Sequence, residues 1–557
     1  MGHQQSKPVT LNCVLEHLKS AGHLTNNQRS AMASAVKAVA KMLNRPPSGV
    51  AIDIAAFRVA LERGQPGRFG ITPKRFSNIR SAFAQALIES GVDLDPLHLT
   101  APLTAEWANL DAMITKLTDR RVLMRFMRWC SCHRVPPKSV TQEVVGQYYD
   151  RVITHSIATK ADDKFQMLIN RWNTYANTVG GWPNVQLAGL DRKKGFQIPH
   201  ADFPASFQKE LQDFYKFLIA DDVFQERSLP PQRPVSAQKR VENLKRAASI
   251  LVHKGVPIER ITSLAVLVEF DHAKTILTWY LERTDRKPNR QTQIYATDLR
   301  CVARHWVNLG EEEMRAFADL CRRVHFEQTE MTSLNRETLA QFKNPELVMR
   351  FINMPKKVFD HNLRVNDPSQ IQVFRASAAL AIAILQSVPI RIENLCNISL
   401  SQNLVRRGTK YVLTFEAHEV KNNKALEYPL PGRVAKMVDR YLDRIWPQIA
   451  SPNCDELFPG KRGERRAKAG LGEAISTICE RELGIRLTAH QFRHICGFLY
   501  LQHRPGDYET VRVLLGHKSI QTTIQFYAGM EMEAAVERFD EVIHQTGRGS
   551  RGNGRRL

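Results

Sequence analysis

No run of about 18 apolar residues occurs anywhere in the 557-residue chain, so nothing in it reads as a membrane-spanning helix. The opening MGHQQSKPVTLN lacks the apolar core of a secretory signal. Gly2 and Ser6 fit a loose N-myristoylation pattern, but patterns this permissive recur by chance. Cysteine is sparse: nine, an odd number, scattered over a chain far too long for a disulfide scaffold, which points to a reducing cytoplasm. Cys130, Cys132 and His133 stand together in CSCH, yet no second Cys or His pair is spaced to close a tetrahedral metal site. They read as thiols on a helix, and neither metal nor other cofactor is expected. Acidic residues are short as well, 56 Asp and Glu against 79 Lys and Arg, a formal charge of +23. Such an excess seeks a polyanion. Without a membrane signal the expected partner is nucleic acid.

Strand-like runs are scarce over the first 345 residues, where apolar positions recur at helical spacing in segments such as SAVKAVAKML and FQKELQDFYKFLI. An internal repeat organises this region. From Val135 to Asp150 and from Val256 to Asp271 the pattern Val-Pro, three residues, Val or Ile, Thr, seven residues, aromatic, Asp recurs without a gap. A basic-Val pair opens each copy, and each is followed by a basic helix ending in Trp, at Trp172 and Trp306. Residues 30–90 are read as a third, decayed relative. The expected layout is a helical domain over 1–100, a SAM-like helical module over 101–227, and a Pro-rich linker at 228–238. A second, related helical module follows over 239–345, then a separate domain over 346–545 and a basic tail over 546–557. The last helix of each module carries cations: Lys74, Arg75 and Arg80; Arg171; Arg300 and Arg304. These are candidate phosphate contacts on the duplex, weighed against the plain reading of a solvated helix face.

After residue 345 the texture changes. Residues 370–388 form a strongly apolar helix, KYVLTFEAHEV at 410–420 alternates as a strand, and EYPLP at 427–431 supplies its partner. The fold class is therefore mainly α and multidomain, ending in a mixed α+β domain with a small antiparallel sheet. Within that domain stand SVPIRIENLC with Arg391, HEVKNNKALEYPLP with Lys421 and Lys424, TAHQFRHICG with His490 and Arg493, and LLGHKSIQTTIQFYAG with His517 and Tyr527. Order and context resemble the tyrosine recombinase (phage integrase) superfamily, whose catalytic set is Arg, Lys, His-x-x-Arg, His or Trp, and Tyr. One departure is visible: Asn394 stands where the family usually has Glu, with Glu393 one place earlier.

The resemblance implies a role for each residue. Arg391 and Arg493 would clamp the nonbridging oxygens of a phosphodiester, a task that suits planar guanidinium better than ammonium. His490, one helical turn before Arg493, would accept the proton of Tyr527, the nucleophile, while His517 stabilises and Lys421 protonates the leaving 5′ hydroxyl. Lys424 joins the candidate DNA contacts. The implied reaction is site-specific recombination through a 3′-phosphotyrosyl ester, without metal or ATP. The implied assembly is a homo-oligomer on double-stranded DNA, a tetramer of two dimers, with accessory recombination proteins, in the cytoplasm on the nucleoid of a bacterial host. The large N-terminal region favours an integrase or transposase of a mobile element. His490 and His494 lie four apart in HQFRH, but Gln491 replaces the Glu of a zinc protease. Met532, Val536, Phe539 and Ile543 form an apolar stripe beyond Tyr527, suited to a neighbouring protomer or to its own domain. Two other readings stay open: relaxation of DNA in the manner of a type IB topoisomerase, and a noncatalytic DNA-binding protein that keeps the fold.

Overall fold

The computed structural model describes residues 9–94, 100–190, 196–221, 229–327, 331–364, 368–408, 410–420, 423–460, 464–527, 529, 535–536 and 539–544. Two compact units result: Met1–Gly189 together with Glu330–Leu557, and Leu190–Thr329.

The first unit begins with α1 (Leu11–Ser20), α2 (Asn26–Met42), α3 (Ile54–Arg63) and α4 (Pro73–Glu89), followed by α5 (Ala105–Ala112), α6 (Leu117–Cys132), α7 (Gln142–His155) and α8 (Ala161–Thr178). The second unit holds α9 (Ala205–Ile219), α10 (Pro234–His253), α11 (Ala265–Val268), α12 (Phe270–Leu281), α13 (Arg290–His305) and α14 (Glu311–Arg323). One turn occurs three times. After α2, α6 and α10 the chain passes through a left-handed residue, Asn44, Arg134 or Gly255. The next amide, of Arg45, Val135 or Val256, bonds back to the carbonyl of Ala40, Cys130 or Leu251. A proline-bearing 3₁₀ turn then delivers a buried Val50, Val140 or Ile261. This is a Schellman-type helix stop that sets the entry angle of the following helix. The buried faces of α6 and α10 match as Leu123 with Leu244, Phe126 with Ala247, and Cys130 with Leu251. In that register Val122 meets Asn243, so the two basic-Val pairs are not equivalent.

The expected boundaries shift. Phe203, Phe207, Leu211, Phe214 and Leu218 pack with α10 and α13, so α9 belongs to the later module rather than to a domain ending at 227. The proline-rich stretch is not linker throughout, because Pro234 begins α10, where a missing N–H costs nothing. Residues 222–228 lie outside the described residues.

The last domain comprises α15 (Ser333–Gln341), α16 (Pro345–Leu363), α17 (Gln370–Ser387), α18 (Ile392–Cys396), β1 (Leu404–Arg407), β2 (Lys410–Phe415), β3 (Leu426–Pro429), α19 (Gly432–Arg444), α20 (Lys468–Leu483), α21 (Ala489–His503), α22 (Tyr508–Leu515) and α23 (Ile520–Tyr527). Helix α17 is apolar all round and buried from Ala376 to Leu385, as a central helix must be. The sheet runs β1-β2-β3, antiparallel, with Leu413 between Leu404 and Tyr428. Strand β1 was not anticipated. Strand β2 stops at Phe415 rather than reaching 420, because Ala417–Glu419 turns into a 3₁₀ segment. The Glu419 carboxylate fastens that turn, accepting from the Glu416 amide at 2.7 Å and the Asn403 side chain at 3.1 Å.

Within the first unit, α1–α4 bridges its neighbours. Buried Arg58 donates to the carbonyls of Ile153 at 2.6 Å and Ser156 at 3.2 Å, covering the orphan end of α7. On the other side the turn at Pro66–Gly67 lies against Gly484, which holds φ +78°; a Cβ there would stand 2.8 Å from the Pro66 Cβ and 3.0 Å from the Gly67 nitrogen. Gly484→Ala is expected to cost about 2–4 kcal/mol from left-handed strain and overpacking. Gly470→Ala, in open space on α20, should be neutral or slightly stabilising. Urea unfolding of the full chain measures both, and equal midpoints for the two variants would contradict the contact.

Candidate active site

Helix α21 opens with a capping box: the Thr488 amide donates to the Gln491 side chain at 2.9 Å. Gln491, the residue that departs from a zinc-protease motif, is therefore a helix cap. Among the described residues no group of three His, Cys, Asp or Glu is placed to hold a metal. In CSCH, His133 bonds the Trp129 carbonyl at 2.8 Å and stacks on its ring, so it does not join the cysteines.

His490, Arg493 and His494 project from the first turns of α21, with His490 exposed and Arg493 buried. The Arg493 guanidinium donates to the carbonyl oxygens of Pro389 and Leu515. Pro389 precedes Arg391, the N-cap of α18, and Leu515 ends α22. One side chain therefore ties together the three segments that carry Arg391, His490 and His517. Gly516, left-handed, stops α22 and turns the chain so that the His517 amide bonds back to Arg512 at 3.0 Å. His517 Nδ1 then pairs with the buried Thr523 hydroxyl at 2.9 Å.

The electrostatics are one-sided. Arg391 is half-buried, and among the described residues its guanidinium makes no hydrogen bond or ion pair, while its carbonyl accepts from the Leu395 amide at 3.0 Å. Asn394 does not support it, donating instead to the Glu419 carbonyl at 3.2 Å, and Glu393 turns toward Lys468 at 3.8 Å. Burial lowers the Arg391 pKa. Burial, with Arg391 beside it, pushes Arg493 down to about 10. Burial and the same two arginines push His517 down to about 4, so its imidazole is neutral at pH 7.

Tyr527 is 1% exposed. Its hydroxyl donates to the Arg493 carbonyl at 3.3 Å, and its ring fills a slot over Gly497, where a Cβ would lie 2.7 Å from the phenol. Burial raises its pKa, with Arg493 opposing. The phenol thus touches the backbone of the helix that carries the guanidinium.

Of the six residues singled out from the sequence, Arg391, His490, Arg493, His517 and Tyr527 converge, and Lys421 lies outside the described residues. The other candidates of the first unit do not join this site. Lys424 is exposed after the β2–β3 turn; Lys74, Arg300 and Arg304 are exposed on their modules. Arg75 donates to Ser34 at 3.3 Å, Arg80 is half-buried, and Arg171 pairs with Asp119 at 3.0 Å. Two neighbours were missed. His494, neutral with its pKa pushed down to about 4 by burial and by His490, has its ring 4.9 Å from His490 and 6.4 Å from Tyr527. Its position four residues after His490 was the available signal. Tyr428, on β3, lies within the field of both arginines, which oppose the upward shift that burial gives its phenol. Nothing in its strand pattern marks it.

The phage integrase family model matches residues 360–533, the segment that carries Arg391, His490, Arg493, His517 and Tyr527. This domain belongs to the phage integrase family. Tyrosine recombinase XerC of Pseudomonas syringae pv. tomato is 27% identical over 157 residues, 28% of this chain and 49% of that protein. XerC of Herpetosiphon aurantiacus is 34% identical over 119 residues, 21% of this chain and 38% of its own. The chain thus spans about half or less of the curated relatives it matches. Among solved structures, a lambda integrase dimer bound to a COC′ core site aligns over 57% of this chain and 94% of its own, with 13% identity and a TM-score of 0.35. The Tn1549 transposon integrase in complex with transposon right end DNA aligns over 59% and 99%, with 15% identity and a TM-score of 0.35.

Two outcomes are expected for the integrase domain. Gly497→Ala should drive the Tyr527 ring from its slot and cost about 1–3 kcal/mol in urea unfolding; unchanged stability and unchanged nitration of Tyr527 would contradict the packing. His494 and His517 titrate below the roughly 6.5 of an unfolded histidine, so as pH falls the unfolded chain takes their protons first. Their contribution to stability is complete above about pH 6.5 and declines toward pH 4. In His494→Gln the fall in stability between those pH values should flatten; an unchanged slope would contradict a buried, neutral His494.

Proposed function

We propose that the chain is a DNA strand-exchange enzyme, a site-specific recombinase in which Tyr527 attacks a phosphodiester held by Arg391 and Arg493. The observation that carries this reading is the pair of neighbouring guanidiniums that have no carboxylate partner among the described residues, one held by carbonyl oxygens alone. Two like charges kept together at a cost are suited to a doubly charged transition state. Neutral His517, fixed by Thr523, can donate a hydrogen bond to a nonbridging oxygen without adding charge. His490, exposed on the same helix, is assigned to take the phenol proton once Tyr527 emerges.

The bond made is Tyr527 Oη to phosphorus; the bond broken is phosphorus to O5′, which leaves as a hydroxyl after accepting a proton. Lys421 is assigned as its donor by resemblance. One phosphodiester replaces another, so the step needs no ATP. Because the phenol is buried and bonded to α21, α23 must shift before attack, and DNA contact is the natural trigger. The relatives named tyrosine recombinase XerC support this chemistry.

Two finer assignments belong to the proposal. Three modules ahead of the integrase domain give DNA contacts beyond a crossover core, which favours a mobile-element integrase or transposase. Val536, Phe539 and Ile543 are 59%, 67% and 52% exposed, an uncovered apolar stripe that favours contact with another protomer and a tetramer on two sites. Met532 lies outside the described residues.

Nicked duplexes from the chain's own element ends, incubated with the protein and run on denaturing gels, test the reading. A covalent adduct is expected, and Tyr527→Phe should abolish it. An adduct that persists in the variant assigns the attack to another residue.

A further inference from the structure

The second module, α5–α8, contains a cavity that the reaction does not use. It encloses about 250 Å³ between α6, α7 and α8, small for a drug-sized ligand but sufficient for one planar ring. Its wall is apolar and aromatic, with Tyr149 and Phe165 packed at 4.5 Å between ring centroids. The Tyr149 hydroxyl is tied to Asp162 at 2.8 Å, which fixes the ring. Three cations, Arg121, Arg125 and Lys164, line the same cavity, with Arg125 steadied by the Ser156 hydroxyl at 3.3 Å. Positive charge is crowded there: burial, then Arg125 and Arg80, lower the pKa of Lys164, with Glu62 opposing.

The fold alone does not require this combination, because related modules in the same chain lack it. In the register set by the shared turn, Ala31 and Ala35 of α2 stand at the positions of Arg121 and Arg125. In α10 Glu242 replaces Arg121 while Arg246 keeps the place of Arg125, and the nearby Asn243 and Arg240 are engaged with the buried carboxylate of Asp298 at 2.7 and 2.8 Å.

We infer that this cavity binds a single nucleotide unit, its base in the aromatic wall against Tyr149 and its phosphate among Arg121, Arg125 and Lys164. Base stacking beside a cationic rim is the chemistry by which proteins hold unpaired nucleic acid. The source is an unstacked nucleotide of a DNA strand, such as strand exchange exposes, or a free nucleotide. The assignment rests on DNA being the substrate, but it is read by binding, so its failure would leave the Tyr527 chemistry untouched.

The test uses the full chain and fluorescence anisotropy with a labelled thymidine strand of about eight nucleotides and a duplex of the same length. Ala158→Trp, which fills the cavity without changing charge, and Arg121→Glu, at an exposed position, should each weaken strand binding about tenfold, the usual loss for one base-aromatic stack or more. Duplex binding by Ala158→Trp should stay within about twofold. Competition by thymidine monophosphate separates the sources: displacement assigns a free nucleotide as sufficient, and displacement by dinucleotides only assigns a strand. Strand affinity unchanged in both variants overturns the proposal. Should Ala158→Trp lower the melting temperature, photocrosslinking of a bromodeoxyuridine strand to the unaltered protein decides: adducts on the Tyr149 peptide support the site, and adducts only elsewhere overturn it.

Discussion

The integrase domain is organised around the burial of Arg493. A guanidinium removed from water must satisfy its donors, and here the carbonyls of Pro389 and Leu515 do so. Both are backbone groups at places where a helix leaves carbonyls or turns exposed, so the charge is bonded without being cancelled. A carboxylate in their place would have stabilised the arginine more and left nothing for a phosphate. The same bonds fix the approach of three chain segments that are distant in sequence, and the positions of Arg391, His490 and His517 follow from them.

The cost of that arrangement is visible in its neighbours. His517 and His494 are held neutral by burial and by adjacent positive charge, and Tyr527 is held protonated by burial. The resting site is therefore cationic at its arginines, neutral at its buried histidines and closed at its phenol. Closing the phenol depends on a missing side chain: Gly497 sits inside a helix, where glycine is ordinarily unfavourable by up to about 1 kcal/mol, because no Cβ fits beneath the Tyr527 ring.

Ahead of this domain the chain reuses one helix stop three times and varies what surrounds it. The turn is set by local chemistry, a left-handed residue followed by proline and a buried β-branched side chain, which tolerates wide changes elsewhere. Module surfaces have diverged accordingly, from the Arg58 brace in the first to the basic aromatic cavity in the second and the Asp298 network in the third.

Much of this was legible in the sequence because the governing physics is local. Helical periodicity, the gap-free Val-Pro repeat, the strongly apolar helix at 370–388 and the spacing of HQFR and LGH all act over one or two turns, and each leaves a pattern. Strand β1 and the early end of β2 were not legible, since a four-residue strand carries little periodic signal and Glu419 stops β2 through a bond to Asn403, which is remote in sequence. The pairing of α9 with the third module was hidden for a similar reason, its apolar stripe fitting either neighbour. Which residue types would gather was determined by the sequence alone. That Arg391 stands without a counter-charge among the described residues, that Asn394 turns away from it, and that Tyr527 rests against Gly497 were decided only by tertiary packing, because burial and partnership depend on what the rest of the chain brings alongside.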